Sequence, residues 1–593
     1  MEVFRTLLQW SPAAVVLAAA ACGPGTSTGA AEPGGDETEA GVLQEDLAVV
    51  LTAPNLARSL ERFAGQYGRV MERLAEAGVT LPAPPAQAVR DAGRALLREA
   101  IFRRLLWLPG EVAVDLGAPA VVGVVAPRGA DPSFAAGVGV IPAAASDRPP
   151  RSGNPDVTLE PAGEGRLAVG YVGGPAVDLA AWPQAEAGAE EDLVLRAWGV
   201  PAAERLRRAL FGWAGPRRER GEWTDLDELW VTAASMGLDL FSGVRELRVG
   251  LRIGEGTAPA VSLRVEVTAE PGSGLAAALP PDDAPAGEFP FVGDVGPGPA
   301  QLFAARPGPG TAAIRDGAAE AVDRLFAMFE RTALRELAVH VAELGRAAGD
   351  LVRLLDGRYL DVSWPEDAGD RAATADAGPF LGLALGPLPR RTMILGVASD
   401  EAARDAVRRA CAALEKLGPY LMDFFGGPLD IGCQLEQARL GEVPVDVMVV
   451  RDRLEPWAVE AGIRPFSVDA YFAAGGGRLA AATGSDWRER LEAALGSAAP
   501  AGGRLADDAL WRELREGAPD WVTMLARDDL GALLFPDLAR SCPQAPGPAP
   551  TMPVVLRGGA HEGVGIEEVE TASSFLDGVA RALAAGARCG VLP

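Results

Sequence analysis

The stretch ELRVGLRIGEGTAPAVSLRVEV, Glu246 to Val267, decides the fold class. Leu247, Val249, Leu251 and Ile253 alternate with Glu246, Arg248, Gly250 and Arg252. Beyond a turn through Gly254, Glu255 and Gly256, Val261, Leu263, Val265 and Val267 alternate with Ser262, Arg264 and Glu266. A period of two sends the apolar side chains to one face and the polar ones to the other. The stretch therefore predicts an antiparallel hairpin with one buried and one wet face.

Outward from this hairpin, strands give way to capped helices. Leu47 to Thr52 reads as a short strand, and Pro54-Asn55 opens a helix with Asn55 as its N-cap. Leu56, Leu60, Phe63, Tyr67, Val70 and Leu74 follow at helical spacing as one core-facing stripe. Val79 to Pro85 interrupts it, and Val89, Leu97, Ile101 and Leu105 mark a second helix. The pattern returns where Leu302–Ala305 precedes Pro307-Gly308-Pro309-Gly310 and a helical region over 312–355, striped by Leu334, Leu337, Val341, Leu344, Ala348 and Leu351. It returns again where Val522–Ala526 precedes Asp528-Asp529 and an apolar face of Leu530, Leu533 and Leu534.

A second unit places a Gly-rich turn and Arg-Leu-Ala before a strand and a helix. GEGRLAVGYVGGPAVDLAAW (Gly163–Trp182) aligns in this way with GGGRLAAATGSDWRERLEAAL (Gly475–Leu495). Met393 to Ala410 repeats the strand-to-helix portion, with Ser399-Asp400 and Ser485-Asp486 at cap positions. The expected fold is α+β: two lobes of largely antiparallel or mixed sheet covered by amphipathic helices and related by internal duplication. The lobes span 45–290 and 291–593, and the spacing is too irregular for a solenoid.

Composition narrows the function classes. The 593 residues exceed what one hydrophobic core usually serves, and 48% hydrophobic content supplies ample core material. With 55 basic against 81 acidic residues the net charge is −26, a field opposed to nucleic acid and to anionic lipid. Lys416 is the only lysine.

Arg5 begins a thin positive segment, Pro12 to Ala21 is an apolar run too short to span a bilayer, and Ala19-Ala20-Ala21 leads into Cys22. This ending resembles the lipobox of bacterial lipoproteins, with Ala19 where that family usually carries leucine. The resemblance implies export, a signal peptide over 1–21, cleavage before Cys22 and lipid attachment to its thiol. Three acyl chains would then make membrane anchoring permanent. Residues 22–44, rich in Gly, Pro, Ser, Thr, Ala and acid, read as a flexible tether. Gly23 carries no inner-membrane retention signal, so the resemblance favours the outer membrane. Over Leu47 to Leu583 the chain is diffusely similar to exported bacterial envelope proteins of unknown function, a likeness that carries no functional residues.

Motifs that could carry reaction chemistry are few. Gly25-Thr26-Ser27-Thr28-Gly29 matches G-x-S-x-G but lies in the tether, where no strand-to-helix elbow can form. Gly308-Pro309-Gly310-Thr311-Ala312-Ala313 matches a loose dinucleotide turn without the second strand and acidic end that such a site requires. Of the two histidines, His340 borders a helical stripe, and His561-Glu562 falls in the Gly-rich run Arg557–Gly563. That run reads as a loop exposing His561 and Glu562 for binding, and they are the candidate ligand-site residues. Asp225-Leu226-Asp227-Glu228 reads as helix-start charge. No catalytic set, cofactor or metal site is expected.

With Cys22 lipidated, Cys411, Cys433, Cys542 and Cys589 form an even set suited to an oxidising compartment. Three connectivities exist, of which the local one joins Cys411 to Cys433 and Cys542 to Cys589. The reading is a membrane-anchored, non-enzymatic envelope protein that binds a protein or ligand or contributes to envelope architecture. A carboxylate-dependent hydrolase and a carrier of lipid or another apolar ligand are the alternatives. The oligomeric state is left open.

Overall fold

A computed structural model describes residues 47–125, 133–141, 151–161, 165–171, 190–255, 259–279, 287–364, 390–420, 429–452, 467–529 and 552–588. Within these, residues 77, 80–83, 106, 111, 222–224, 309, 333–334, 517 and 573 are excepted. The N-terminal elements are β1 (Leu47–Ala53), α1 (Leu56–Glu76), α2 (Ala86–Leu96, continued by a π-helical Leu97–Leu105), β2 (Ala113–Val114), β3 (Ala120–Val125), β4 (Ser133–Ile141), β5 (Val157–Pro161) and β6 (Arg166–Tyr171). There follow β7 (Leu193–Ala197), α3 (Gly199–Glu219), α4 (Asp225–Ser242), β8 (Val244–Ile253), β9 (Val261–Ala269) and α5 (Gly274–Ala278).

The next group is β10 (Gln301–Ala305), α6 (Thr311–Thr332), α7 (Arg335–Leu354), β11 (Leu355–Ser363), β12 (Arg391–Val397) and α8 (Asp400–Leu417). It continues with β13 (Leu429–Leu440), β14 (Val443–Asp452), β15 (Ser467–Ala474), β16 (Arg478–Thr483), α9 (Trp487–Ala494) and α10 (Ala509–Glu516). The last elements are β17 (Val522–Asp529), β18 (Pro553–His561), β19 (Val564–Thr571) and α11 (Phe575–Arg588).

Hydrogen-bonded neighbours join these strands into one antiparallel succession. From one edge it runs β5-β6-β4-β3-β1-β7-β8-β9. It crosses to β19 and continues β18-β17-β10-β11-β12-β16-β15-β14-β13. The α+β class and the antiparallel sheet expected from the alternating hairpin are both present. Pairings run outward from β9 and β19 in the same order: β9-β8-β7-β1-β3-β4 on one side and β19-β18-β17-β10-β11-β12 on the other.

The local chemistry explains the element boundaries. The Asn55 side chain accepts from Arg58 N at 2.8 Å, capping α1, and the Ser399 hydroxyl accepts from Ala402 N at 3.3 Å to cap α8. Asp486 departs from its expected capping role: its carboxylate takes ion pairs from Arg390 and Arg490 and makes no cap bond. Asp528 and Asp529 also differ from expectation, continuing β17 as ladder residues, while Leu530, Leu533 and Leu534 lie outside the described residues. The α1 stripe splits. Leu56 and Leu60 pack on the cluster of Phe102, Leu159 and Val169, and Leu74 packs with Ala580 and Ala584 of α11, but Phe63 is 54% exposed. Gly310 sits against the backbone of Ala278, where a side chain would collide, so this glycine serves chain packing.

Among the described residues the largest core lies on one face of the second half. Leu302, Leu360, Ile394 and Leu525 pack there against Phe289, Leu491, Leu505 and Trp511. On the opposite face Leu351 and Ala403, from α7 and α8, meet Val397 and Leu479. Within α7 the tightest positions are Gly345, Ala347 and Gly349 rather than the leucine stripe, because Phe326 and Asp323 of α6 press against the two glycines. His340 is half-buried on the same helix. Under the hairpin that decides the class, Val244 and Val267 bury against Leu275 and Ala278.

The outer strand β13 is fastened twice to α8. Cys411 and Cys433 form a disulfide with Cα atoms 6.0 Å apart, as the local pairing predicts; Cys542 and Cys589 fall outside the described residues. Beside it, the Asp446 carboxylate receives Arg408 Nε at 2.8 Å, Arg404 Nε at 3.1 Å and the backbone N of Glu436 at 2.8 Å. Glu436 has φ +55° within a register shift of the β13–β14 ladder, so the edge is bent as well as clamped. Burial alone would raise the Asp446 pKa, but these donors overcome it and bring it down to about 2. A carboxylate whose folded pKa lies below its unfolded value stabilises at neutral pH and loses that contribution on protonation. Stability should therefore fall as pH drops from about 4 to about 2. Asp446→Asn should flatten this part of the profile in urea denaturations run across that range.

Candidate functional site

The wet face of the opening hairpin becomes a site because β19 completes it. In cross-strand register Glu246 stands opposite Thr268, Thr268 opposite Val564, and Val564 opposite His561. The next row holds Arg196, Arg248, Glu266 and Ile566, and the third holds Gly250, Arg264, Glu568 and Arg557. Residues directly opposite in an antiparallel pair share a face, so these rows form one surface across five strands.

Charge pairing organises this surface. Arg196 reaches Glu246 at 2.7 Å, and Arg248 spans Glu191 at 2.8 Å and Glu266 at 3.4 Å. Arg264 bridges Glu266 and Glu568, each at 2.7 Å, and so ties β9 to β19; Arg557 holds Glu570 at 2.7 Å. Glycine makes room for part of this network. A Cβ on residue 250 would come within 2.9 Å of Glu191 Cγ and 3.0 Å of its Oε1, so Glu191 lies over the sheet only because position 250 is bare. Burial pushes the Glu191 carboxyl upward, but the Arg248 hydrogen bond and a backbone N–H outweigh it and leave its pKa below the usual range.

Beside these rows opens a cavity of about 470 Å³, lined by the first two rows together with Arg264 and Glu562. His561 and Glu562 are thus brought to one site, next to the polar side of the hairpin read from sequence. Their setting differs from the expected glycine-rich loop. His561 ends β18, and Glu562-Gly563 form a two-residue hairpin turn with φ of +50° and +79°. Gly558 and Gly559 lie within the strand. A side chain at 559 would strike the Trp521 carbonyl, where the β17–β18 register shifts. The glycines were therefore a signal of close backbone approach rather than of a loop.

Arg196 and Glu191 are members that the sequence reading did not identify. Both are remote in sequence from the hairpin, and their proximity follows from β7 pairing beside β8. The accessible signal was the alternation of Arg and Glu on the wet side of Glu246–Val267, which calls for opposite charges on neighbouring strands. The arrangement offers guanidinium donors and carboxylate acceptors on rigid strands around an open cleft, chemistry suited to recognising a polar, charged surface. Cys22 and the tether lie outside the described residues. Among the described residues no group of three His, Cys, Asp or Glu side chains is arranged to hold a metal ion.

No protein-family model matches the chain, and no curated protein or solved structure gives a significant match.

Gly250→Val should displace Glu191 from Arg248 and destabilise the fold by about 1–3 kcal/mol through overpacking. NMR titration should find the Glu191 carboxyl returned toward its usual range. Gly432→Ala, in open space on β13, is the matched control and should leave stability nearly unchanged.

Proposed function

We propose that the protein is an exported, lipid-anchored envelope protein of non-catalytic role that binds a charged protein surface at the β9–β19 seam. The observation that carries this reading is the open cleft in which His561 and Glu562 lie beside the paired charges of β7, β8 and β9. Mixed-sign rows set specificity and register for a partner of complementary pattern. Anchoring rests on the lipobox-like ending at Cys22 and the tether after it. The Cys411–Cys433 disulfide agrees with an oxidising compartment, and among the described residues no helix is long and apolar enough to cross a membrane.

The same reading takes the two halves, 45–290 and 291–593, as duplicated units. The matching pairing orders outward from β9 and β19, and the helix pair that follows both β1 and β10, support it. Placing the binding cleft where the units meet would let a duplicated surface acquire one composite site.

One observation favours a second reading, the carriage of an apolar molecule. Leu56, Leu60, Phe63, Leu97, Leu193, Leu251 and Ile253 line a cavity of about 200 Å³ between helices and sheet. Ser59 and Asp192, also in its lining, are hydrogen-bonded to each other at 2.7 Å. Mass spectrometry of gently extracted protein distinguishes the two readings, since co-purifying lipid without a protein partner favours carriage.

A photo-crosslinking side chain at Thr268 should capture one protein partner in intact envelopes, and Glu562→Arg, on the exposed hairpin turn that lines the cleft, should reduce that capture at least tenfold while leaving the fold intact. Absence of a specific adduct from Thr268 would overturn the seam as binding surface. Cys22→Ser should release the protein from membranes and abolish incorporation of labelled fatty acid. Retained acyl label would refute attachment at Cys22.

A further inference from the structure

Helix α1 meets the sheet without filling the space between them. Leu56, Leu60 and Phe63 from the helix and Leu193, Leu251 and Ile253 from β7 and β8 enclose the cavity of about 200 Å³. Each of these six side chains keeps part of its surface exposed. Protein interiors are close-packed, so apolar groups around an unfilled space forgo contacts that a guest would supply. Helix α2 closes on α1 at Gly93, where a Cβ would come within 2.7 Å of Leu60 Cδ2. Leu97, also in the lining, begins the π-helical turns that end α2, a rare conformation that recurs at functional sites.

The polar groups in the wall are committed to one another. The Asp192 carboxylate, 1% exposed, receives Ser59 Oγ at 2.7 Å, Arg62 Nη1 at 3.2 Å and Ile253 N at 2.7 Å. Arg62 also donates to Glu255 at 2.6 Å and to the Glu190 carbonyl at 3.1 Å. Among the described residues the lining therefore presents no uncommitted donor to a carboxylate or phosphate, and the negative charge of Asp192 opposes any anion that enters. A polar group carried inside loses its water without gaining a partner. Size sets a second limit. An apolar cavity of about 150 Å³ takes up benzene. The α1 cavity is thus matched to one ring or a short alkyl segment, not to a whole lipid.

We propose that the α1 cavity is a binding site for a small uncharged hydrocarbon, of one ring or a short alkyl chain, and that it rejects anions of the same size. The proposal rests on the carriage reading above and narrows its cargo from lipid to a small apolar molecule.

The test uses the full chain carrying Cys22→Ser, so that no acyl group of its own competes for the cavity. Toluene is the probe, measured by headspace partition, and benzoate, measured by equilibrium dialysis, is its anionic counterpart. Toluene uptake should saturate near one molecule per chain, with benzoate bound at least about tenfold more weakly. Amide exchange in α1 and α2 should slow with toluene and stay unchanged in β13 and β14. Leu193→Phe, which fills the cavity, should cut uptake about tenfold without lowering the thermal midpoint of the toluene-free protein. Phe63→Ser alters a side chain already 54% exposed, spares the core, and should weaken uptake about fivefold. Uptake that does not saturate, equal binding of benzoate, or uptake insensitive to both substitutions would overturn the proposal. Saturable toluene uptake lost in these variants, with no apolar molecule co-purifying from envelopes, upholds the site and counts against carriage alone. An apolar molecule co-purifying with a chain that takes up no toluene keeps carriage and overturns this site.

Discussion

The ladder between β9 and β19 is the constraint on which the rest of the sheet depends. Seven residue pairs, from Val564 with Thr268 to Glu570 with Ser262, join the strands of the two halves, and Arg264 adds a 2.7 Å ion pair to Glu568 across it. Without this pairing each half would end in a strand with unsatisfied N–H and C=O groups, a template for association with any other extended chain. With it, the sheet runs on to β5 and β13. Both strands carry features that discourage further pairing: Pro161 on the short β5, and a bend with a disulfide clamp on β13. The charged rows of the candidate site exist only because this ladder sets His561 and Val564 level with Thr268 and Glu246.

Much of the local architecture was legible in the chain because it depends on short-range rules. The alternating residues of Glu246–Val267 specify their own faces, and the Arg248 to Glu266 pairing follows from the hairpin register. Asn55 and Ser399 announce helix starts because a side-chain oxygen there accepts an orphan N–H. The errors have a common cause. Periodicity identifies an apolar face but not what covers it, and so Phe63 was read as core although it is half exposed. Asp486 had the right position for a cap, but Arg390 and Arg490, one of them 96 residues away, offer stronger charge-assisted bonds. Glycines at 558 and 559 suggested a loop, whereas the Trp521 backbone requires them inside a strand.

The site was half legible for the same reason. His561 and Glu562 were singled out by residue type, and the Arg/Glu alternation of the hairpin by its pattern. Their union across the seam depends on a pairing between segments about 300 residues apart, for which local sequence holds no signal.

The distant pairing also orders events in time. β1 waits for β7, β10 waits for β17, and β9 waits for β19, which ends at Thr571. Because synthesis delivers the chain from its N-terminus, the strand at the heart of the sheet remains an unprotected edge until nearly all of these residues have emerged. Sheets rich in such non-local contacts fold slowly and pass through states prone to association. The native molecule hides that edge completely, but the nascent one must be kept from its neighbours, by a chaperone or by dilution, for as long as β19 is missing.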